Sequence, residues 1–228
     1  MVKVGSFILL FFLMACGSVP ELVQMTNQGP AQGSTYSISY LVPAGVDYRE
    51  DIDSILLEMD HQMSLWVNES DLSRLNRGDT ILLSSDLTEV LRRSKEYTLL
   101  TDGYFDVTIA PLIKFWGFSG GSYNEYVNID SLMTFVGSQF MKEPLKDSIY
   151  WLPKGCQIDV NGIAQGYTVD RIADFLTHRG IVNYLVEVGG EVICSGVKNS
   201  GDAWRIGIDM PTEEREKGMF QTIVTLDS

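Results

Sequence analysis

The chain has 228 residues, 45% of them hydrophobic and 21% charged, with seventeen Lys and Arg against thirty Asp and Glu for a net charge of −13. A disordered tail and a disulfide-stapled miniprotein are excluded, because a chain of this length hides roughly 70–75% of its unfolded surface in a core of its own. A non-specific nucleic-acid binder lacks its cationic footprint here, and two histidines with no Cys-x-x-Cys make a poor zinc site, which leaves only a hard, oxygen-liganded cation open.

Lys3 precedes an apolar run from Val4 to Ala15, too short for a membrane span and suited to the hydrophobic region of a signal peptide. Leu13-Met14-Ala15-Cys16-Gly17-Ser18 resembles a bacterial lipoprotein cleavage site. Residues 1–15 are therefore expected to be removed and Cys16 to carry lipid, with an ordinary secretory signal as the alternative. Residues 16–32 read as a tether. Ser34 to Val42 alternates through Tyr36, Ile38, Tyr40 and Val42, which predicts the first strand. Ile52, Ile55, Leu56 and Met59 recur at helical spacing between Tyr48 and Leu65.

Ser85 or Asp86 can cap a second helix running to about Leu100, with Arg92, Arg93 and Lys95 toward its C-terminal end. Thr101 to Asn124 reads as a glycine-rich, aromatic loop. Asn128 to Val136 suggests a short helix, and Ser148 to Val160 two short strands around Pro153-Lys154-Gly155. Ile163 to His178 is helical, stopped by Gly180. Strands are expected at Asn183–Val188, Glu191–Ser195 and Trp204–Ile208, and Ile223-Val224-Thr225-Leu226 reads as a strand without its partner. Cys156 and Cys194 are expected to be buried free thiols, a disulfide being the alternative. The order predicts an α+β fold, a mixed sheet packed with helices in one domain, with too few helices for a doubly wound parallel sheet.

Gly117-Phe118-Ser119-Gly120-Gly121 matches the nucleophile-elbow pattern, and Asp174 and His178 follow in the hydrolase order. The context is wrong, because an elbow needs a strand running into the serine and a helix leaving it. His61 reads as a surface side chain. Asp159-Val160-Asn161-Gly162-Ile163-Ala164-Gln165-Gly166-Tyr167 says more: an acidic residue closes a strand, an Asn-Gly turn follows and a helix begins, so free N–H groups could meet a phosphate. An ordinary capped strand-to-helix turn reads the same way. In Thr101-Asp102-Gly103-Tyr104-Phe105-Asp106-Val107-Thr108 two aromatics and carboxylates surround a glycine, fit to clamp a planar ring or simply to turn the chain.

These stretches occur in a fixed order with Gly33-Ser34-Thr35-Tyr36, Met63-Ser64-Leu65-Trp66, Ser73-Arg74-Leu75-Asn76, Pro111-Leu112, Trp116-Gly117-Phe118, Glu187-Val188-Gly189-Gly190-Glu191 and Trp204-Arg205-Ile206-Gly207-Ile208. The series resembles the FAD:protein FMN transferase family of bacterial lipoproteins. The resemblance implies a Mg²⁺-dependent enzyme that splits FAD, joins the FMN half by a phosphoester to a threonine of a membrane redox-complex subunit, and releases AMP.

It also implies FAD contacts from Gln32, Trp66, Tyr104, Phe105, Asp106, Asp159 and Gln165, a Mg²⁺ ligand in the Gly162 main-chain oxygen, and a lipid anchor at Cys16 holding the protein in the bacterial envelope, facing the periplasm. Gln32 and Gln165 depart from the methionine and lysine common at those places. Family members continue past the position of Ser228 into a segment with a histidine implicated in catalysis and a metal motif. Residues 33–228 are thus expected to be such a domain without its C-terminal segment, the catalytic residues lying beyond Ser228; a non-catalytic flavin-binding lipoprotein or inactive fragment is the alternative.

Overall fold

The structure, a computed structural model, describes residues 21–118, 121, 128–145, 147–210 and 220–226. Its elements in chain order are β1 (Leu22–Ala31), β2 (Ser34–Pro43), α1 (Arg49–Met63), α2 (Asp71–Asn76), β3 (Ile81–Leu82), α3 (Ser85–Leu100) and α4 (Ala110–Phe115). There follow α5 (Ile129–Met133), β4 (Ile149–Tyr150), α6 (Asn161–His178), β5 (Tyr184–Val188), β6 (Glu191–Ser195), β7 (Trp204–Asp209) and β8 (Phe220–Leu226). The main sheet has the order β1-β2-β5-β6 with every neighbour antiparallel, and β3-β4 and β7-β8 form two small sheets. The α+β expectation holds.

β1 corrects the tether. Leu22–Ala31 pairs along its whole length with β2, through a two-residue turn in which Gln32 and Gly33 both take positive φ, 49° and 76°. The strand has almost no apolar alternation, and a polar knot holds it instead. Asn27 is buried, donates to Asp47 Oδ1 at 2.9 Å and accepts from the Tyr40 hydroxyl at 2.7 Å. Burial pushes that phenol up to about 12.

Four further boundaries differ from the sequence reading. The α3 cap is Ser84, whose hydroxyl accepts the Leu87 N–H, and not Ser85 or Asp86. Of Ser148–Val160 only Ile149–Tyr150 is strand, facing Ile81–Leu82. α4 forms within the stretch read as loop, and it starts with Pro111 in its first turn, where a missing N–H costs nothing. Asn161 and Gly162 already belong to α6, so no separate Asn-Gly turn precedes it. The end segment does have a partner, since β8 pairs with β7 from Trp204↔Leu226 to Asp209↔Phe220.

Two apolar cores meet along α1 and α6. Ile52 and Leu56 of α1, with Val169, Ile172, Ala173 and Leu176 of α6, pack on Tyr36, Ile38, Tyr40, Val186 and Val188 of the main sheet. One turn further along α1, Met59 and Met63 join Leu72, Leu75, Leu87, Leu91, Val107 and Ile158, against which Ile163, Ala164 and Tyr167 rest. The start of α6 is thereby fixed between the two cores. Among the described residues no helix is long and apolar enough to cross a membrane.

Candidate functional site

Three chain segments converge on the N-terminal half of α6. The first leaves α3 through Asp102 and Gly103, both at positive φ (51° and 84°), with the Gly103 N–H returning to Thr98 O at 2.8 Å. That reversal leaves Tyr104 96% exposed. Phe105 is half-buried, its ring standing edge-on to Tyr97 with centroids 6.2 Å apart. Asp106 Oδ1 accepts from the Thr108 N–H (2.8 Å) and hydroxyl (2.6 Å), which caps the short 3₁₀ turn Val107–Ile109.

The second segment carries Asp159, only 6% exposed. Its N–H donates to Val107 O at 2.7 Å, and its Oδ1 accepts the Asn161 N–H at 2.8 Å. Just before it, the Asn76 amide brackets Ile158, donating to its carbonyl and accepting its N–H, both at 2.7 Å. Ile163 and Ala164 N–H groups both reach Val160 O, leaving the Gly162 N–H without a partner among the described residues. A Cβ on Gly162 would stand 3.2 Å from the Phe105 ring, so glycine lets the helix start approach that aromatic closely.

Tyr104, Phe105, Asp106, Asp159 and Gly162 line one cavity of about 520 Å³. Gly162 and Gln165 line a second of about 310 Å³, whose wall includes Tyr97 and Glu191. Asn161 and Gly162 border both. The third segment is the β1–β2 turn, where Gln32 Nε2 donates at 2.8 Å to the Thr168 hydroxyl, three residues along α6 from Gln165. Gln32 Oε1 is buried with no partner among the described residues, a cost that a ligand donor would remove.

The structure thus brings Tyr104, Phe105, Asp106, Asp159, Gly162 and Gln165 to the two cavities, while Gln32 lines neither and is tied to α6 only through Thr168. Trp66 is 73% exposed on the loop after α1, its N–H held by Ser64 Oγ at 3.1 Å, and lines neither cavity. Cys16 lies outside the described residues, as do Ser119 and Gly120 of the elbow pattern. α4, not a strand, runs toward Ser119, and His178 is exposed with its Nδ1 2.7 Å from Asp174 O. No hydrolase triad is therefore set up by the described residues. His61 is exposed, and Cys156 and Cys194 are free thiols, the second only half-buried.

The ApbE family model matches residues 32–228. The chain belongs to the ApbE family. A curated ApbE relative, the FAD:protein FMN transferase of Vibrio cholerae, is 32% identical over 216 residues, covering 90% of this chain and 64% of its own. The solved flavin transferase ApbE from Vibrio cholerae superimposes with a TM-score of 0.73 at 31% identity, over 83% of this chain and 65% of that one. The apo flavinyl transferase ApbE of Pseudomonas stutzeri gives 0.75 at 29% identity, over 90% and 66%. The chain spans about two thirds of the length of these ApbE relatives.

Two groups escaped the sequence. Asn76 stood only as the last residue of the Ser73-Arg74-Leu75-Asn76 motif, with no role attached and no helix expected there. Asp86, read only as a cap candidate, is instead 5% exposed between α3 and α6, accepting from the Tyr167 hydroxyl (2.7 Å) and paired with Arg171 Nε (2.8 Å). Burial, reinforced by that carboxylate, pushes the Tyr167 phenol well up. Among the described residues no three His, Cys, Asp or Glu gather as a metal cage. Asp159 beside the first turn of α6, with Asp106 Oδ1 already capping its own turn, is too small a set to enclose Mg²⁺, and suits only an ion that keeps waters and shares phosphate oxygens.

Proposed function

We propose that this chain binds FAD across the two cavities at the start of α6 and transfers its FMN half to a threonine of a membrane redox-complex subunit. The threonine oxygen attacks the FMN phosphorus, a P–O bond forms as the bond to the AMP phosphate breaks, the hydroxyl proton passes to solvent or a base, and AMP leaves. What supports this most is the convergence of Tyr104, Phe105, Asp106, Asp159 and Gly162 on one cavity in a chain that matches the ApbE family from residue 32 onward.

Each residue has a part that its chemistry allows. Exposed Tyr104 and half-buried Phe105 offer ring faces and edges to a planar isoalloxazine. The Gly162 N–H, without a partner among the described residues and at a helix start with no side chain of its own, suits a diphosphate oxygen. An ionised Asp159 can only accept hydrogen bonds, so it would meet a hydroxyl or ring N–H of FAD and not a phosphate. Gln165 can donate to a phosphate but brings no charge, and Gln32 Oε1 is an acceptor awaiting a donor. Mg²⁺, held by the Gly162 main-chain oxygen, water and the diphosphate, would neutralise phosphate charge. Cys16 is proposed as the lipid anchor that keeps the protein at the envelope membrane, facing the periplasm.

Titration of FAD by flavin-fluorescence quenching tests the site. Asp159→Ala is expected to weaken binding at least about tenfold while His61→Ala leaves it unchanged; equal effects would count against the assignment. Incubation with FAD, Mg²⁺ and an acceptor subunit should release AMP and give a flavin-fluorescent acceptor band on a denaturing gel, with the activity in the membrane fraction unless Cys16 is replaced by Ser. FAD binding without AMP release would leave a flavin-binding lipoprotein.

A further inference from the structure

A third cleft, of about 610 Å³, opens between α2, α4, α5 and the turn before Asp159, and is larger than either cavity around Gly162. Leu75, Phe135 and Leu152 give it apolar walls, and Arg77, Lys114 and Lys154 bring three cations. Among its described lining residues there is no Asp or Glu. The two lysines have no carboxylate partner among the described residues. Lys114 Nζ donates to the neutral Gln157 amide at 3.1 Å and Lys154 has no ion pair among the described residues; Arg77 is the most engaged, donating to Asn68 O and meeting Glu69 and Asp79 in exposed pairs of 3.6 and 3.7 Å. In a chain of net charge −13, three such cations on one cleft run against the composition.

The cleft also adjoins a second space. Asn76, Arg77, Lys114 and Gln157 line both it and a smaller cavity of about 180 Å³ that ends on Asp159. Tyr104, Phe105 and Gly162 line neither, so the cleft and the cavity beside it stand on a different side of Asp159 from the flavin-facing cavity. A phosphoryl acceptor must come to phosphorus roughly in line with the leaving oxygen, so it needs an entry of its own.

We propose that this cleft docks the acceptor protein, taking an extended acidic segment whose hydroxyl side chain reaches the Asp159 cavity. The identity of the ligand as acceptor rests on the flavin-transfer reading; the preference for an acidic peptide rests on the cleft alone. Charge complementarity sets the sign of that preference.

Fluorescence anisotropy of the 228-residue chain with a fluorescein-labelled peptide, Glu-Asp-Ala-Thr-Ala-Asp-Glu, tests it beside the isosteric Gln-Asn-Ala-Thr-Ala-Asn-Gln. The acidic peptide should bind at least about tenfold more tightly, more weakly as NaCl rises. Lys154→Glu should cut that affinity about tenfold and leave FAD affinity unchanged, whereas Lys198→Glu, equal in net charge but in the β6–β7 loop, should change it less than twofold. Equal binding of the two peptides, equal effects of the two variants, or no peptide binding at all would overturn the proposal. So would capture of phosphatidylglycerol vesicles, but not peptide, in a manner lost with Lys154→Glu. Acidic-peptide binding by a chain that fails to bind FAD would remove the flavin reading and leave the docking site standing.

Discussion

Asn76 does with one side chain what a neighbouring strand does with its backbone. Its amide closes both hydrogen bonds on Ile158, a residue with no exposure, and the Gln157 side chain returns a third to Asn76 O at 3.0 Å. The residue after Ile158 is Asp159, so the carboxylate inherits its position from this clasp. Removing the amide leaves a buried N–H and C=O without partners, each costing about 1–3 kcal/mol before water relieves part of it. Asn76→Ala is accordingly expected to lower stability by about 2 kcal/mol in urea unfolding and to weaken FAD binding as well. Asn76→Asp keeps the acceptor and loses the donor, so it should fall between wild type and Ala; a full-strength FAD site in Asn76→Ala would show that Asp159 is placed by something else.

At the scale of elements, α3 and α6 are joined by a polar clasp inside an otherwise apolar contact. Tyr167 and Arg171 stand four residues apart on α6 and so share the face that meets Asp86. Arg171 is partly exposed, which softens the penalty for losing its partner, but Asp86 is enclosed. Asp86→Ala should cost about 3 kcal/mol in urea unfolding, the low end for breaking a buried pair, and Asp86→Asn less because the amide still accepts from Tyr167. If both variants unfold like wild type, the clasp contributes specificity and not stability.

The same pair of helices shows what the sequence could reveal. α3 and α6 were legible because their buried residues recur at helical spacing, and β2 and β5 because theirs alternate. β1 was not, because its inward face runs Val23, Met25, Asn27, Gly29, Ala31, so the apolar alternation stops after two steps at a polar buried Asn27 and a glycine. The stretch from Trp151 to Val160 misled for the opposite reason: Leu152, Cys156, Ile158 and Val160 are buried as in a strand, yet the partner that satisfies Ile158 is a side chain 82 residues away. Of the site, the aromatics, the Asp159–Gly162 turn with its free N–H groups, and the Gln32 position were visible as motifs; which N–H stays unpartnered among the described residues, and that Gln32 turns its amide to Thr168 of α6 with Oε1 buried, emerged only from the packing.

Over the whole molecule, charge is sorted. The two cavities proposed for FAD carry Asp106, Asp159, Asp170 and Glu191 against Arg93, whose guanidinium is already 2.7 Å from Glu89. The third cleft carries Arg77, Lys114 and Lys154. A diphosphate ligand approaching a chain of net charge −13 is repelled at long range, and salt shortens that repulsion to about 8 Å at physiological ionic strength. An acidic peptide approaching the cleft gains from the local cations, and salt weakens that gain. The two ligands should therefore respond to salt with opposite signs. In stopped-flow experiments without divalent ions, the association rate of FAD is expected to rise between 20 and 200 mM NaCl, by about twofold or more, while that of the acidic heptapeptide falls. Added Mg²⁺ should raise the FAD rate at low salt and flatten its salt dependence, since a complex with less net negative charge is repelled less. A FAD rate that falls with salt, as the peptide rate does, would place the diphosphate among the cations of the third cleft and reverse the assignment of the two sites.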